Sequence, residues 1–559
     1  MLWKTQFSLT RKITDTKRFL DPLSSKNTTP QTAENPSSGE LNTSRGNEFY
    51  WDLSSTLSYN RSVEKHHINL LLGVNARSAK TDNISASYRG FPSGVLSSPN
   101  YAEEIVSKPV SSDNSTRLIG FLGTLNYSYN DVYLLDASVR MDGSSEFGAD
   151  KRFAPFWSAG TGVNIHNYGF MKGQTVIDQL KIRVSYGQTG KVNFPPYVAR
   201  TTYKMFTDGW YKTGFGGTLY ALGNTNLTWE TTNTWDAGVE LSLWKRLLYI
   251  KASYYQKKTV DLVNSVTIPS STGFTTYMDN IGEVENKGYE LEFRSEVVRR
   301  KDLFVAVFAN LAHNENRILK ISESLKAYND RVKDHFANSN RFDGSNTQPF
   351  TQYVEGGSQT SIWGVPSLGI DPATGEEIFI RPDGSITNTW NTNDQVVLGD
   401  TEPKIQGTFG LNATYKNLSL YMTFMYEAGG QIYNSTLRDK VEDVNVYTSN
   451  VDKRVFSERW QEPGDKARYR KLTSGVGGSI MRTRPTSRFV EDNNVLTLNS
   501  ISLGYDFDAG QKWMKTIGLS MLRFEIGAND VCRWSSVKVE RGLNYPYARS
   551  FNFSLKAAF

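Results

Sequence analysis

Polar and apolar residues alternate with period two along stretch after stretch of this chain. In Val239-Glu240-Leu241-Ser242-Leu243 the valine and leucines fall on one side of an extended backbone, the glutamate and serine on the other. Leu135, Ala137, Val139 and Met141 alternate in the same way with Asp136, Ser138 and Arg140. So do Leu180, Ile182, Val184 and Tyr186 with Lys181, Arg183 and Ser185, and Tyr289, Leu291 and Phe293 with Glu290, Glu292 and Arg294. Many runs extend over about nine to twelve residues, whereas strands in soluble proteins average about five or six and a tilted membrane-crossing strand needs about 9 to 11. The pattern predicts about fifteen strands, near 49–61, 67–78, 117–129, 132–141, 153–166, 179–187, 232–244, 246–259, 284–297, 303–315, 405–415, 418–427, 494–506, 518–530 and 549–559.

The connections carry a second regularity. Short turns such as Asn130-Asp131, Trp244-Lys245-Arg246, Arg299-Arg300-Lys301-Asp302 and Tyr415-Lys416-Asn417 alternate with long polar loops near 188–231, 260–283, 316–404 and 428–493. In an up-and-down antiparallel meander successive connections fall at opposite ends. All short turns therefore lie on one side and all long loops on the other, the asymmetry between periplasmic turns and extracellular loops of outer-membrane barrels. The Ser-, Thr-, Asn- and Pro-rich segment 20–46 is read as a further external loop, because strand-like sequence lies on both sides of it. The last segment alternates from Phe551 to Phe559 and stops on an aromatic residue, so Phe559 is the candidate barrel-assembly signal. The expected fold is all-β, an antiparallel transmembrane β-barrel.

Composition removes the obvious objection to this reading. Aromatics make up 13% of the chain, but only 38% is hydrophobic and the mean hydropathy is -0.48. That is too polar for a helical membrane protein, and no run approaches the roughly 18 apolar residues that a membrane helix needs. A barrel strand gives only alternate residues to lipid, so hydropathy averages out along it. The 63 basic and 57 acidic residues are interspersed, with no basic stripe of the kind that binds nucleic acid. One cysteine, Cys532, excludes an intrachain disulfide. The start Met1-Leu2-Trp3-Lys4-Thr5-Gln6-Phe7 is not a signal peptide. An exported protein needs one, so either the expected location is wrong or the sequence lacks its natural beginning.

No catalytic or cofactor motif emerges: there is no GxSxG elbow, HExxH helix, P-loop or CxxC pair, and the chain is not read as an enzyme. His66 and His67 alternate faces of a predicted strand and are poorly set to share a metal. Glu290 and Glu292 sit on one strand face with Arg294, as in an ordinary polar barrel wall. Gly214-Phe215-Gly216-Gly217 and Gly475-Val476-Gly477-Gly478 lack the strand-then-helix context of phosphate cradles.

Seven motifs in order resemble the SusC/RagA family of TonB-linked outer-membrane proteins. Arg140-Met141-Asp142-Gly143-Ser144-Ser145-Glu146-Phe147-Gly148 is similar to its RxDGSSxFG hairpin. Phe153-Ala154-Pro155-Phe156-Trp157-Ser158-Ala159-Gly160 resembles the PFxSxG strand that follows, with Asn164 near where Trp is common. Leu180-Lys181-Ile182-Arg183-Val184-Ser185-Tyr186-Gly187-Gln188-Thr189-Gly190 is similar to LKLRxSYGxTGN, with Lys191 in place of Asn. Asn226-Leu227-Thr228-Trp229-Glu230-Thr231-Thr232 resembles NLxWETT, and Tyr254-Tyr255-Gln256-Lys257-Lys258-Thr259-Val260-Asp261-Leu262 resembles YYxKxTxDLL, with Val263 ending it. Gly369-Ile370-Asp371-Pro372-Ala373-Thr374-Gly375 looks like GxDPxTG. Arg488-Phe489-Val490-Glu491-Asp492, followed by the run from Leu496 to Tyr505, looks like RFVEDxSYLRLKxIxLGY. Turn and girdle chemistry explains such motifs: Asp142-Gly143 is expected to make a tight reversal, and Trp229 and Tyr254 to sit at the membrane interfaces.

The resemblance implies the carboxy-terminal part of a 22-stranded TonB-dependent transporter barrel in the outer membrane. It implies import of oligosaccharides or peptides with a SusD-like surface lipoprotein, and coupling to a TonB complex through a plug that this sequence lacks. We therefore expect a fragment, a truncated gene or a misplaced start, since a partial barrel leaves unpaired strand edges in hydrocarbon. Substrate contacts are expected from lumen-facing polar residues and from the loop aromatics Trp210, Tyr211, Trp363 and Trp390, on which sugar faces could stack. Two alternatives stay open, a passive porin or adhesin-like barrel and a secreted carbohydrate-binding β-protein.

Overall fold

A computed structural model describes residues 1–27, 37–148, 151–192, 194, 196–212, 214–267, 276–280, 282–321, 323–338, 347–446, 450–472, 481–508, 510–538 and 549–559. One antiparallel sheet of 17 strands dominates it. Sixteen are long: β1 (Leu2–Leu20), β2 (Ser38–Val63), β3 (His66–Phe91), β4 (Val110–Tyr129), β5 (Tyr133–Ser144), β6 (Phe153–Asn164), β7 (Ile177–Lys191), β8 (Glu230–Leu243), β9 (Leu248–Val260), β10 (Glu283–Arg299), β11 (Leu303–Lys320), β12 (Ile405–Tyr415), β13 (Leu418–Tyr433), β14 (Val490–Phe507), β15 (Met521–Ser535) and β16 (Ser550–Ala558). The seventeenth, Glu104–Ile105, pairs with the end of β3.

Each long strand pairs with its neighbours in sequence, and among the described residues β1 pairs only with β2 and β16 only with β15. Each of the fifteen segments read from the alternation overlaps a strand of this meander, with ends off by up to a few residues, and β1 precedes them. The connections sort by end. Residues 64–65, 130–132, 165–176, 244–247, 300–302, 416–417 and 508–520 turn at one end; 21–37, 92–109, 145–152, 192–229, 261–282, 321–404, 434–489 and 536–549 turn at the other. Several tight turns use left-handed backbone at non-glycine residues, with φ of 54° at Asn130, 53° at Asp131 and 50° at Lys416.

Three expectations are corrected. Segment 20–46 is strand up to Leu20 and again from Ser38, so the connection is shorter than composition suggested. Asp142-Gly143 is no reversal, since both residues are paired strand positions facing Gly120 and Ile119 on β4 and Ala154 and Phe153 on β6. Gly143 is needed for space: a Cβ there would lie 2.4 Å from the Phe153 ring. Trp229 sits in no girdle, being 7% exposed within a cluster at the long-loop end.

The outer face of the sheet is apolar and the inner face polar. Val139 is 62% exposed, as expected of an outward residue that no protein covers, whereas Arg140 behind it binds Asp142 at 2.6 Å. Aromatic residues border the outer band at both ends. Tyr129, Tyr133 and Tyr168 lie ring to ring at the short-turn end, with centroids 6.5 and 6.1 Å apart. Trp157 and Tyr186 (5.6 Å), then Trp235, Tyr254 and Tyr289, continue from strand to strand nearer the long loops. His66 joins the outer aromatic row beside Tyr129, while His67 turns inward toward Asp131, so the two do alternate faces.

Candidate functional site

The inner wall of β9–β13 frames a hollow of about 610 Å³. Opposite charges face each other across strands, Lys251 against Glu292, with Glu290 and Arg294 beside them on β10. Farther round, Phe308 and Tyr421 stack with centroids 6.1 Å apart and planes 18° from parallel. These large side chains lie flat because glycines stand beneath them. A Cβ on Gly410 would lie 2.7 Å from the Phe308 ring, and one on Gly288 would lie 2.7 Å from the Tyr255 hydroxyl, which donates to Asn314. Replacing Gly410 by Val is expected to press on both the Phe308 ring and the Met422 backbone carbonyl, which lies nearer still, and to cost at least about 1–3 kcal/mol through overpacking. A thermal melt of the purified variant, unchanged from the parent, would refute that.

Five of the seven sequence motifs meet at the long-loop rim. Phe147 from the first, Phe156 from the second, Leu227 and Trp229 from the fourth and Val263 just after the fifth form one buried cluster, completed by Phe194. Trp229 stacks on Phe147 at 4.7 Å and meets Phe156 edge-on at 5.6 Å. Gly190 of the third motif makes room, since a Cβ there would lie 2.0 Å from the Phe156 ring. Glu230, buried beside Trp229, accepts the Val263 backbone N–H at 2.9 Å. The cluster thus ties connections 145–152, 192–229 and 261–282 to the wall.

Arg488 of the seventh motif anchors an ionic core between connections 321–404 and 434–489, and the sixth motif forms a turn nearby. Arg488 reaches Glu377 and Glu442, each at 2.8 Å, and Arg470 reaches Asp443 at 3.0 Å and Glu442 at 3.3 Å. Thr486 donates to Glu377 at 2.7 Å and Thr483 to Asp443 at 2.9 Å. Burial alone would raise the Glu442 carboxyl, but Arg488, Arg470 and Arg459 hold it below the ordinary glutamate range. Burial prevails at Asp443 and pushes it up. Asp371 makes a turn, accepting from Ala373 N–H at 2.9 Å and Thr374 hydroxyl at 2.7 Å, and the Trp460 indole caps it by donating to the Pro372 carbonyl at 2.9 Å.

A family model described as "TonB dependent receptor-like, beta-barrel" matches residues 3–434. The chain belongs to that family. Two TonB-dependent receptors of Formosa agariphila are relatives of this receptor barrel. One is 28% identical over 500 residues, covering 88% of this chain and 49% of the relative. The other is 27% identical over 587 residues, covering 97% and 57%. TonB-dependent receptor SusC of Bacteroides thetaiotaomicron is 27% identical over 406 residues, covering 70% and 38%. The receptor barrel therefore spans about half the length of the curated relatives it matches. Its fold is similar to the RagAB peptide importer in the open-open state, with a TM-score of 0.81 at 22% identity over 100% of this chain and 59% of that one. The relatives carry receptor names and no enzyme names.

The receptor barrel distributes the loop aromatics expected to touch substrate. Trp210 and Tyr211 lie on a strand (Thr202–Tyr211) paired to Gly214–Ala221, and their side chains fall outside the described residues. Trp363 is half-buried on Ser361–Gly364, paired to Val396–Asp400. Trp390 is half-buried: its indole donates to the Pro485 carbonyl at 3.0 Å, and its ring meets Phe336 at 5.3 Å and the Arg484 guanidinium at 4.8 Å. Phe559 follows β16 and is 89% exposed. Periodicity does not reveal the ionic core, because its members come from loops; the motif residue Arg488 is the available signal.

Proposed function

We propose that this chain is the barrel of an outer-membrane TonB-dependent importer, with the long-loop end outside the cell. The observation that carries the reading is the two-girdle apolar outer face around a charged inner wall, in a chain of this family. By analogy with a relative named SusC and a similar fold described as a peptide importer, the cargo is an oligosaccharide or a peptide, taken up with a SusD-like surface lipoprotein. Energy then comes from a TonB complex acting on a plug within the barrel. A lumen lined by both signs of charge, such as Lys251 and Glu292, suits polar cargo.

Uptake of labelled oligosaccharide and oligopeptide mixtures by cells with and without this protein tests the reading. Loss of uptake of one mixture on deletion, and equal loss in parent cells treated with a protonophore, is expected. Uptake that survives the protonophore would instead identify a passive pore, and co-purification of a surface lipoprotein with the parent protein would support the partner.

A further inference from the structure

On β1–β4 the apolar outer band ends at the row Leu9, Trp51, Ser78, Arg117, and the next row is Arg11, Phe49, Lys80, Ser115. Neighbouring strands lie about 4.8 Å apart. Arg11 and Lys80 therefore stand about 10 Å apart on either side of Phe49, with Arg117 diagonally below Lys80. All three cations are exposed, and Phe49 is 37% exposed between them. Among the described residues Arg11 has only a neutral side-chain partner, Asn47 at 3.0 Å, and no carboxylate lies within ion-pair distance of Arg117. Lys80 reaches Asp82 at 3.4 Å; Asp113 faces Asp82 one row farther out, and Asp15 is taken by Arg45 at 3.5 Å. Above the aromatic row on β9–β11 the charges balance instead, Lys258 with Glu283 at 2.8 Å, Lys287 with Glu315 at 3.1 Å and Arg317 with Glu315 at 3.5 Å.

We propose that the outer face of β1–β4 holds the phosphorylated headgroup of an outer-leaflet lipid, with Arg11, Lys80 and Arg117 on the phosphate oxygens and Phe49 and Trp51 against the first acyl carbons. The inference rests on the outer-membrane reading above, because the edge of the apolar band fixes these cations at headgroup height. Guanidinium groups take phosphate oxygens in pairs, and an aromatic ring at the polar–apolar boundary suits the region where headgroup meets acyl chain. The excess of cations over reachable carboxylates is what distinguishes this sector from β9–β11.

The test is native mass spectrometry of the intact protein in phosphatidylcholine nanodiscs containing bis-phosphorylated lipid A. Each cation near an anionic surface is worth roughly a factor of five, so the Arg11→Gln/Lys80→Gln/Arg117→Gln variant should retain the phosphorylated lipid roughly a hundredfold less well. A Lys258→Gln/Lys287→Gln/Arg317→Gln variant should retain it as the parent does, and millimolar inorganic phosphate should not displace it. Equal retention by the first variant and the parent overturns the proposal, as does displacement by inorganic phosphate, which would mark a free-anion site. Failure of the parent to enter the bilayer at all overturns the outer-membrane reading and this inference with it.

Discussion

Replacing Arg488 by Ala is expected to loosen connections 321–404 and 434–489 against each other, their remaining links such as Thr486 to Glu377 and Trp390 to Pro485 staying in place, while leaving the barrel sheet paired. Arg488 binds both the Glu377 and the Glu442 carboxylate, and it lies 111 and 46 residues from them in sequence. Removing it leaves two carboxylates buried beside each other, a loss of about 3–5 kcal/mol for a broken buried pair. Proteolysis within 434–489 should accelerate while the thermal unfolding of the sheet stays put; unchanged cleavage would remove the ionic core as the tie. Adding Glu442→Gln should recover part of the loss, because it removes one of the stranded charges. Acid should mimic the substitution. Glu442 is depressed in the folded state, so its contribution is fully present above the ordinary glutamate value of about 4.3 and is lost as pH falls through its lowered one. Asp443 is raised and acts in the opposite sense, losing its contribution as pH rises through its folded value, so it softens the acid effect.

The second large effect is expected from Trp229→Ala. Its indole touches Phe147 of connection 145–152 and Phe156 of β6, so truncation opens the cluster from its centre. Removing a buried aromatic costs about 3–5 kcal/mol. Hydrogen exchange in 145–152 and 261–282 should rise together, though neither contains the substitution. Protection that falls only near residue 229 would mean the three connections are held separately.

Much of the barrel was legible because the membrane writes a period of two into each strand. The signal stops where lipid stops. On β1 the outward residues Trp3, Phe7 and Leu9 give way to Arg11, Ile13, Asp15 and Lys17, a stretch with Ile13 as its one apolar member, so the alternation fades and β1 and the upper halves of β2 and β3 fall outside the predicted strands. Asp142-Gly143 misled for a different reason: the dipeptide favours turns, but here the glycine accommodates a ring from the next strand. Trp229 looked like a girdle residue because composition cannot distinguish an aromatic facing lipid from one facing other aromatics. The pairing of Arg488 with Glu377 was invisible to periodicity, since loops have none.

The uneven strand lengths have a consequence for what other agents meet at the cell surface. β2 and β3 each run 26 residues in unbroken register, whereas β5 and β6 run 12. At about 3.3 Å per residue and a tilt near 40°, the longer pair rises roughly 65 Å, of which the apolar band takes about 25 Å. In the proposed orientation the tip around Phe19, Leu41 and Phe91 stands some 40 Å beyond the apolar band, well above the ends of β5 and β6, by roughly the same geometry. An antibody or a phage approaching from outside would reach this mast before the pore, so sequence drift under such pressure should concentrate at its tip and spare the low rim of β5 and β6.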